Sequence, residues 1–325
     1  MTLPRIGITL GDPGGVGPEI VLKAFAGEYA LPPAEYVLFG SRRVLRNEEK
    51  SVGIRFNFAP AGIRKRVSSG SLSFHDLPVP PRTLKKGILS ADNGLASFRY
   101  FEFAVGEARR GRLQAVVTAP ISKKSWALAG LRWKGHTEYL SRLYPEAIMA
   151  FWSKPLKVAL LSHHLSLRTA LRQVKSENLG RFFRGLDRSL KKVRPGGFEF
   201  LVAGLNPHAG EDGLLGREEI EEISPAVKKA RRAGIRISGP FPPDVVFRMA
   251  SGRKDRVVVA LYHDQGLIPF KLKAFETGVN VSLGLPFVRT SPDHGTAFDI
   301  AGRNSASPAS MVEAIKLAVA FSKTS

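Results

Sequence analysis

The chain carries seven histidines and no cysteine in 325 residues. Without a thiolate, any bound metal must sit on imidazole or carboxylate, and disulfides and cysteine nucleophiles are excluded. Three of the histidines share one sequence context. His164 follows LKVALLS at 156–162, His208 follows FEFLVAGLNP at 198–207, and His263 lies in RVVVALYHDQG at 256–266. Each closes a short apolar run. If those runs are parallel neighbours, their carboxyl ends bring the three imidazoles to one sheet edge despite gaps of 44 and 55 residues. Asp212 and Asp264 stand close to two of them. The set reads either as a divalent-metal site or as three separate hydrogen-bonded rim residues. Zinc fits three imidazoles best, with Co, Mn and Mg open. His75 lies in an irregular stretch with no such context.

A second concentration of chemistry runs from Tyr262 to Gly302. Lys271, Asn280 and Arg289 offer an ammonium, an amide and a guanidinium, a set suited to the phosphate or carboxylate of a small substrate. Taken singly, each is equally a surface or turn residue. His136 and Thr137, in KGHTE, add hydrogen-bonding groups from a separate motif. SPDHGTAFDIAG supplies turn backbone with Asp293, His294 and Asp299, which suit the sugar or base of a nucleotide or simply form turns. GDPGGVGPEI at 11–20 invites a dinucleotide reading, but Ile20 breaks the third glycine position and no Gly-Lys-Ser/Thr ends the motif. What remains is a glycine-rich turn with Asp12 near its start and Pro18 at the first helical turn.

Elements must position these residues. Apolar runs at 5–10, 35–40, 113–120, 156–162, 198–207 and 256–266 alternate with helical stretches at 92–109, 171–194 and 216–233, which predicts an α/β fold. Runs such as Val257–Val258–Val259 lack a polar alternate and suit central strands covered on both faces. The segment 48–82 is the least regular. Hydrophobic residues make up 43% and charged residues 24%, enough for a sizeable core, and the length suits two domains. The formal charge of +21 raises the alternative of a nucleic-acid-binding protein. However, the basic clusters at 108–112, 191–194 and 228–232 read as solvated helix faces, and no nucleic-acid reading motif accompanies them. No signal-like segment or 18-residue uncharged apolar run is present, so a soluble, cytoplasmic protein without a membrane partner is expected.

GDPGGVGPE, AG-x4-GHTE at 129–138, HLSLR, NPHAGE, YHDQGL, VNVSLGLPFVRTS and DHGTAFDIAG together resemble the 4-hydroxythreonine-4-phosphate dehydrogenase family of vitamin B6 (pyridoxine and pyridoxal phosphate) biosynthesis. The likeness covers residues 5–302 in order and is thin between 28 and 85. It implies a two-domain α/β/α sandwich like isocitrate and isopropylmalate dehydrogenases. From the resemblance we expect 1–125 with 265–325 as the nucleotide-side domain, 126–264 as the second, and the active site in the cleft between them. It further implies NAD- or NADP-dependent oxidation of 4-phosphooxy-L-threonine to a β-keto acid, which loses CO2 to give 3-amino-2-oxopropyl phosphate. One divalent metal per site matches His164, His208 and His263, one of them supplied across a homodimer interface. Mixing His164→Ala with His263→Ala chains is then expected to restore activity. Substrate residues match His136, Thr137, Lys271, Asn280 and Arg289, and Asp293, His294, Gly295, Thr296, Ala297 and Asp299 fall in the segment facing the adenosine side of the cofactor. Lys271, Asp244 and Asp264 are the candidates to move the hydroxyl proton. Ser166, LIPFK at 267–271 and AGRN at 301–304 depart from the family pattern. Sister enzymes act on 4-phospho-D-threonate and 4-phosphoerythronate, so a related phosphorylated C4 acid is the alternative substrate.

Overall fold

Glycine, proline and aspartate break the chain into short apolar runs, and those runs become strands. The computed structural model describes residues 3–56, 65–67, 70–79 and 85–323. Its strands are β1 Arg5–Thr9, β2 Ala34–Gly40, β3 Lys65–Val67, β4 Gly70–Asp76, β5 Ala115–Thr118, β6 Ile148–Trp152, β7 Lys157–Leu160, β8 Glu199–Ala203, β9 Ile237–Phe241, β10 Arg256–Ala260, β11 Val279–Leu283 and β12 Val288–Pro292. Its helices are α1 Gly17–Ala24, α2 Arg42–Val52, α3 Ala91–Arg109, α4 Lys123–Leu128, α5 His136–Leu143, α6 Leu167–Arg172, α7 Ser176–Val193, α8 Ser224–Arg232, α9 Pro243–Ala250, α10 His263–Ala274 and α11 Ala309–Ser322. Part of the irregular stretch 48–82, namely 57–64, 68–69 and 80–82, lies outside the described residues.

The chain divides into two compact units, one from residues 1–145 and 285–323 and the other from 146–284. The sequence placed these boundaries at 125 and 264. Instead α5 stays with the first unit, where its His136 is hydrogen-bonded to Arg289 of β12, and α10 stays with the second, where Leu267, Phe270 and Ala274 join the core.

In the first unit the strands run β3-β4-β2-β1-β5-β12, parallel throughout except for β3. Every residue of β5 is buried, as expected where both faces of a strand are covered. Helix α3 packs against β1, β2 and β5, and α11 against β5 and β12. Ser90 caps α3 by accepting a hydrogen bond from Asn93 N.

In the second unit the order is β11-β6-β7-β10-β8-β9, with β6 antiparallel to both neighbours and β7, β10, β8 and β9 parallel. Phe151, Val158, Leu160, Leu201, Val258 and Phe270 belong to its core. The valine run of β10 is fully buried. Both units are therefore α/β with mixed sheets. The three basic clusters fall at the carboxyl ends of α3 and α7 and within α8, where cations meet the negative end of the helix dipole. Arg110 and Arg112 pair there with Glu107, and Lys191 with Asp187. No helix among the described residues is long and apolar enough to cross a membrane.

Candidate active site

Strands β7, β10 and β8 are adjacent and parallel, so their carboxyl ends lie at one edge of the second unit's sheet. His164, His263 and His208 stand four, three and five residues beyond the last residues of those strands, Leu160, Ala260 and Ala203. The edge does not treat the three alike. The rings of His164 and His263 are 5.7 Å apart between centroids, and both line a cavity of about 230 Å³ with His163, Ser162, Tyr262 and Asp264. His208 does not line that cavity. It is exposed, on a turn from Pro207 to Gly213.

Asp264 Oδ1 lies 2.7 Å from His263 Nδ1. A carboxylate accepting from Nδ1–H leaves Nε2 with a lone pair to offer, the usual arrangement behind a metal-binding histidine. His163 is half-buried, its Nδ1 has no partner among the described residues, and burial first, then His263, holds its pKa below the ordinary histidine value. Neutral imidazoles of this kind fit a divalent ion as part of a donor set. Among the described residues, however, no three His, Asp or Glu side chains come close enough to hold one.

Asp244, at the start of α9, shares a recess of about 390 Å³ with Asp264, Phe247, Tyr262, Gln265 and Ile268. Lys271, on α10, has its Nζ 5.7 Å from the ring centroid of Phe275. Asn280 is half-buried on β11, paired in register with Phe151 of β6.

The first unit holds a different arrangement. Arg289 of β12 is 3% exposed, and its Nη2 donates to Thr118 Oγ1 at the end of β5 (2.7 Å) and to His136 Nδ1 (3.2 Å). A guanidinium only donates, so Nδ1 must accept and the ring proton sits on Nε2. That Nε2 is buried and has no hydrogen-bond partner among the described residues. Burial, and then the neighbouring Arg289, push the His136 pKa well below the ordinary value, so the ring is neutral. Burial also lowers Arg289 to about 10, which leaves it charged at neutral pH. Phe101 (4.3 Å between centroids) and Trp126 (5.4 Å) enclose the imidazole. Thr137 follows it on the first turn of α5 and is half-buried. Sequence reasoning missed Thr118, whose only local signal is its place at the carboxyl end of an apolar strand.

The glycine-rich turn after β1 packs in the same unit. Asp12 Oδ1 accepts from Gly14 N (2.9 Å), and burial raises the Asp12 pKa. Thr296 O accepts from Val16 N, and Lys86 Nζ donates to Gly15 O. A side chain at position 15 would meet Thr296 O at 2.7 Å, so only glycine permits this approach. The segment 293–299 thus lies against 14–16. It exposes His294, Gly295 and Asp299 and turns through a left-handed Ala297 (φ 43°), while Asp293 N is held by Ser310 Oγ. Exposed backbone beside a glycine turn fits the edge of a nucleotide.

A pair of histidines at one sheet edge and a buried guanidinium at a strand end fit an α/β enzyme with a small anionic substrate. The family model of pyridoxal phosphate biosynthetic protein PdxA matches residues 33–318. The chain is 42% identical to 4-hydroxythreonine-4-phosphate dehydrogenase of Aquifex aeolicus (strain VF5), over 96% of this chain and 97% of the relative. It is 40% identical to D-threonate 4-phosphate dehydrogenase of Pectobacterium atrosepticum, over 97% and 98%. A crystal structure of 4-hydroxythreonine-4-phosphate dehydrogenase from Klebsiella pneumoniae superposes with a TM-score of 0.86 at 38% identity, covering 98% of this chain and 99% of that one. The chain belongs to the PdxA family of NAD(P)-dependent oxidoreductases, which act on a phosphorylated CH–OH substrate.

Proposed function

We propose that the chain oxidises the secondary alcohol of 4-phosphooxy-L-threonine with NAD or NADP, and that the β-keto acid formed loses CO2 to give 3-amino-2-oxopropyl phosphate. The observation that carries this reading is full-length likeness to 4-hydroxythreonine-4-phosphate dehydrogenases together with a buried Arg289 that donates to Thr118 and His136. A guanidinium fixed in a dry site suits a phosphate dianion, and remote phosphate binding orients the reacting carbon without taking part in the chemistry. His136 is locked as an Nε2–H donor, which suits a substrate oxygen. Thr137, Lys271 and Asn280 are proposed as further substrate contacts, and 293–299 as the adenosine contact.

When bound, NAD(P) supplies the hydride acceptor, and a divalent ion, zinc by preference or Mg, Mn or Co, supplies Lewis acidity toward the alcohol oxygen. His164 and His263 are its proposed ligands from one chain, and His208 is the proposed ligand from a second copy. Its absence from the paired-histidine cavity supports this. Exposed apolar residues of the second unit also favour a homodimer, with Leu214 83%, Leu272 83% and Phe275 75% exposed in the single chain. Since Asp264 is engaged with His263, Asp244 is the better placed to accept the hydroxyl proton, and Lys271 is the other candidate to move it.

A second reading, oxidation of 4-phospho-D-threonate, is favoured by 40% identity to D-threonate 4-phosphate dehydrogenases. Measuring kcat/KM for 4-phosphooxy-L-threonine, 4-phospho-D-threonate and 4-phosphoerythronate, with NAD and NADP and each metal in turn, decides between them. A preference for the first substrate is expected, and a larger value for either other acid replaces the reading.

A further inference from the structure

The turn bearing His208 runs through left-handed backbone at five successive residues, His208 to Asp212, with φ of 52°, 55°, 82°, 42° and 54°. Four of the five are not glycine. L-residues abandon that region unless their surroundings over-determine it, and such strain gathers at functional sites.

Glu219 supplies the constraint. It opens a π-helical turn, Glu219–Ile223, is 3% exposed, and reaches back to the chain that leads into His208. Its Oε1 accepts from Leu205 N (2.7 Å) and Asn206 N (2.8 Å), and its Oε2 accepts from Asn206 Nδ2 (2.8 Å). The turn is shaped around this carboxylate. A side chain at Gly210 would come within 2.8 Å of Oε2, and one at Gly216 within 2.3 Å of Asn206 Nδ2. On the other side, Gln265 Nε2 donates to Gly204 O (2.7 Å) while its Oε1 accepts from Leu261 N (2.7 Å). Residues 204–206 are thus clamped between Glu219 and Gln265, and Gln265 lies on α10, which begins at His263.

We propose that Glu219 is a positioning residue that holds the His208 turn in the conformation that presents its imidazole to a metal ion, with Gln265 tying that turn to the helix of His263. This rests on the metal reading of the histidines. Glu219 is not itself a ligand, since both its oxygens are occupied by N–H donors. Second-sphere groups of this kind fix ligand orientation, and their loss typically lowers metal affinity about 10–100-fold.

Glu219→Gln keeps the side chain's shape but turns one acceptor into a donor facing N–H groups. The test is calorimetric titration of zinc into metal-stripped, full-length protein, with the absorption spectrum of the cobalt-loaded protein as a second readout. Glu222→Gln is the control. Glu222 lies on the same π turn but accepts from Lys175 Nζ and Ser176 N instead. Glu219→Gln is expected to weaken zinc binding roughly 10–100-fold and alter the cobalt spectrum. It should leave KM for NAD(P) close to that of the control and lower the melting temperature of the stripped protein by only a few degrees, as loss of a buried acceptor does, and Glu222→Gln should bind zinc as wild type does. Glu219→Ala, if it folds, should lose more. Wild-type zinc affinity and cobalt spectrum in Glu219→Gln overturn the proposal, as does an equal loss in Glu222→Gln. Absence of saturable zinc or cobalt binding by the wild type overturns the metal reading, and this role with it.

Discussion

In the first unit, Arg289, His136 and Thr118 are buried and hydrogen-bonded to one another within a single chain. In the second, His164 and His208 are exposed at a sheet edge, and only two of the three expected imidazoles share a cavity. Desolvation organises the first set, because a neutral ring and a fixed donor fork need no rearrangement when an anion arrives. The second set is held by backbone and by carboxylates behind the imidazoles, with His164 and His208 open to solvent. The first cluster is complete within one chain, whereas the proposed metal site is not.

The sharpest break in that contrast is to remove a proposed metal ligand. His164→Ala or His263→Ala is expected to lower turnover about 100-fold or more, since Lewis-acid stabilisation is worth several kcal/mol. Because His164 and His263 face each other in one chain, mixing those two variants should restore nothing. Mixing His164→Ala with His208→Ala under subunit exchange should recover about one quarter of wild-type activity, as half the dimers are mixed and one site in two is intact. Recovery in the first mixture and not the second would mean that His164 and His263 come from different chains.

A smaller loss tests the finished site. Arg289→Ala should cost roughly tenfold or more in kcat/KM for the phosphorylated substrate, from a charge-assisted contact of about 1.5–3 kcal/mol, and much less for unphosphorylated 4-hydroxythreonine. An unchanged ratio between the two substrates would remove Arg289 as the phosphate anchor.

Thr118→Val takes away one acceptor of Arg289 while keeping the volume. The expected loss of about 1–3 kcal/mol in unfolding free energy leaves the fold intact and lowers phosphate preference severalfold. Chemical denaturation and the same substrate ratio check it. No change in either would show that Thr118 does not hold the guanidinium.

The smallest effect is on pH dependence. Burial depresses the His136 pKa in the folded state, so the unfolded chain binds the extra proton first. The stability this contributes is fully present above about 6.5 and is lost as pH falls below that value toward the folded pKa. Denaturation midpoints should therefore fall between pH 7.5 and 5.5, and the slope should be shallower in His136→Gln. An identical slope in that variant would assign the acid sensitivity to other groups.

Much of this was legible in the chain. Apolar runs bounded by turn residues marked β1, β2, β5, β7, β8 and β10, and a common place after β7, β8 and β10 marked the three histidines. Less legible were β6, β9, β11 and β12, and helices such as α9 and α10. Pro269 sits inside α10 and masks its periodicity, and β9 is interrupted by Gly239 and Pro240. Glu219 was invisible among the acidic residues 218, 219, 221 and 222, because only its burial separates it from its neighbours.

Local pattern and composition by themselves determined the α/β class, the sheet edge beyond which the three histidines follow their strands, and the exclusion of thiol chemistry. These follow from side-chain type and short-range periodicity, which a sequence displays directly. Only the tertiary structure decided that His164 pairs with His263 while His208 stands apart, and that Arg289 meets Thr118 and His136 across 171 and 153 residues of chain. Those contacts depend on strand order, on left-handed backbone at single residues and on which polar atoms are cut off from water. All three are set by packing of the whole unit rather than by any segment within it.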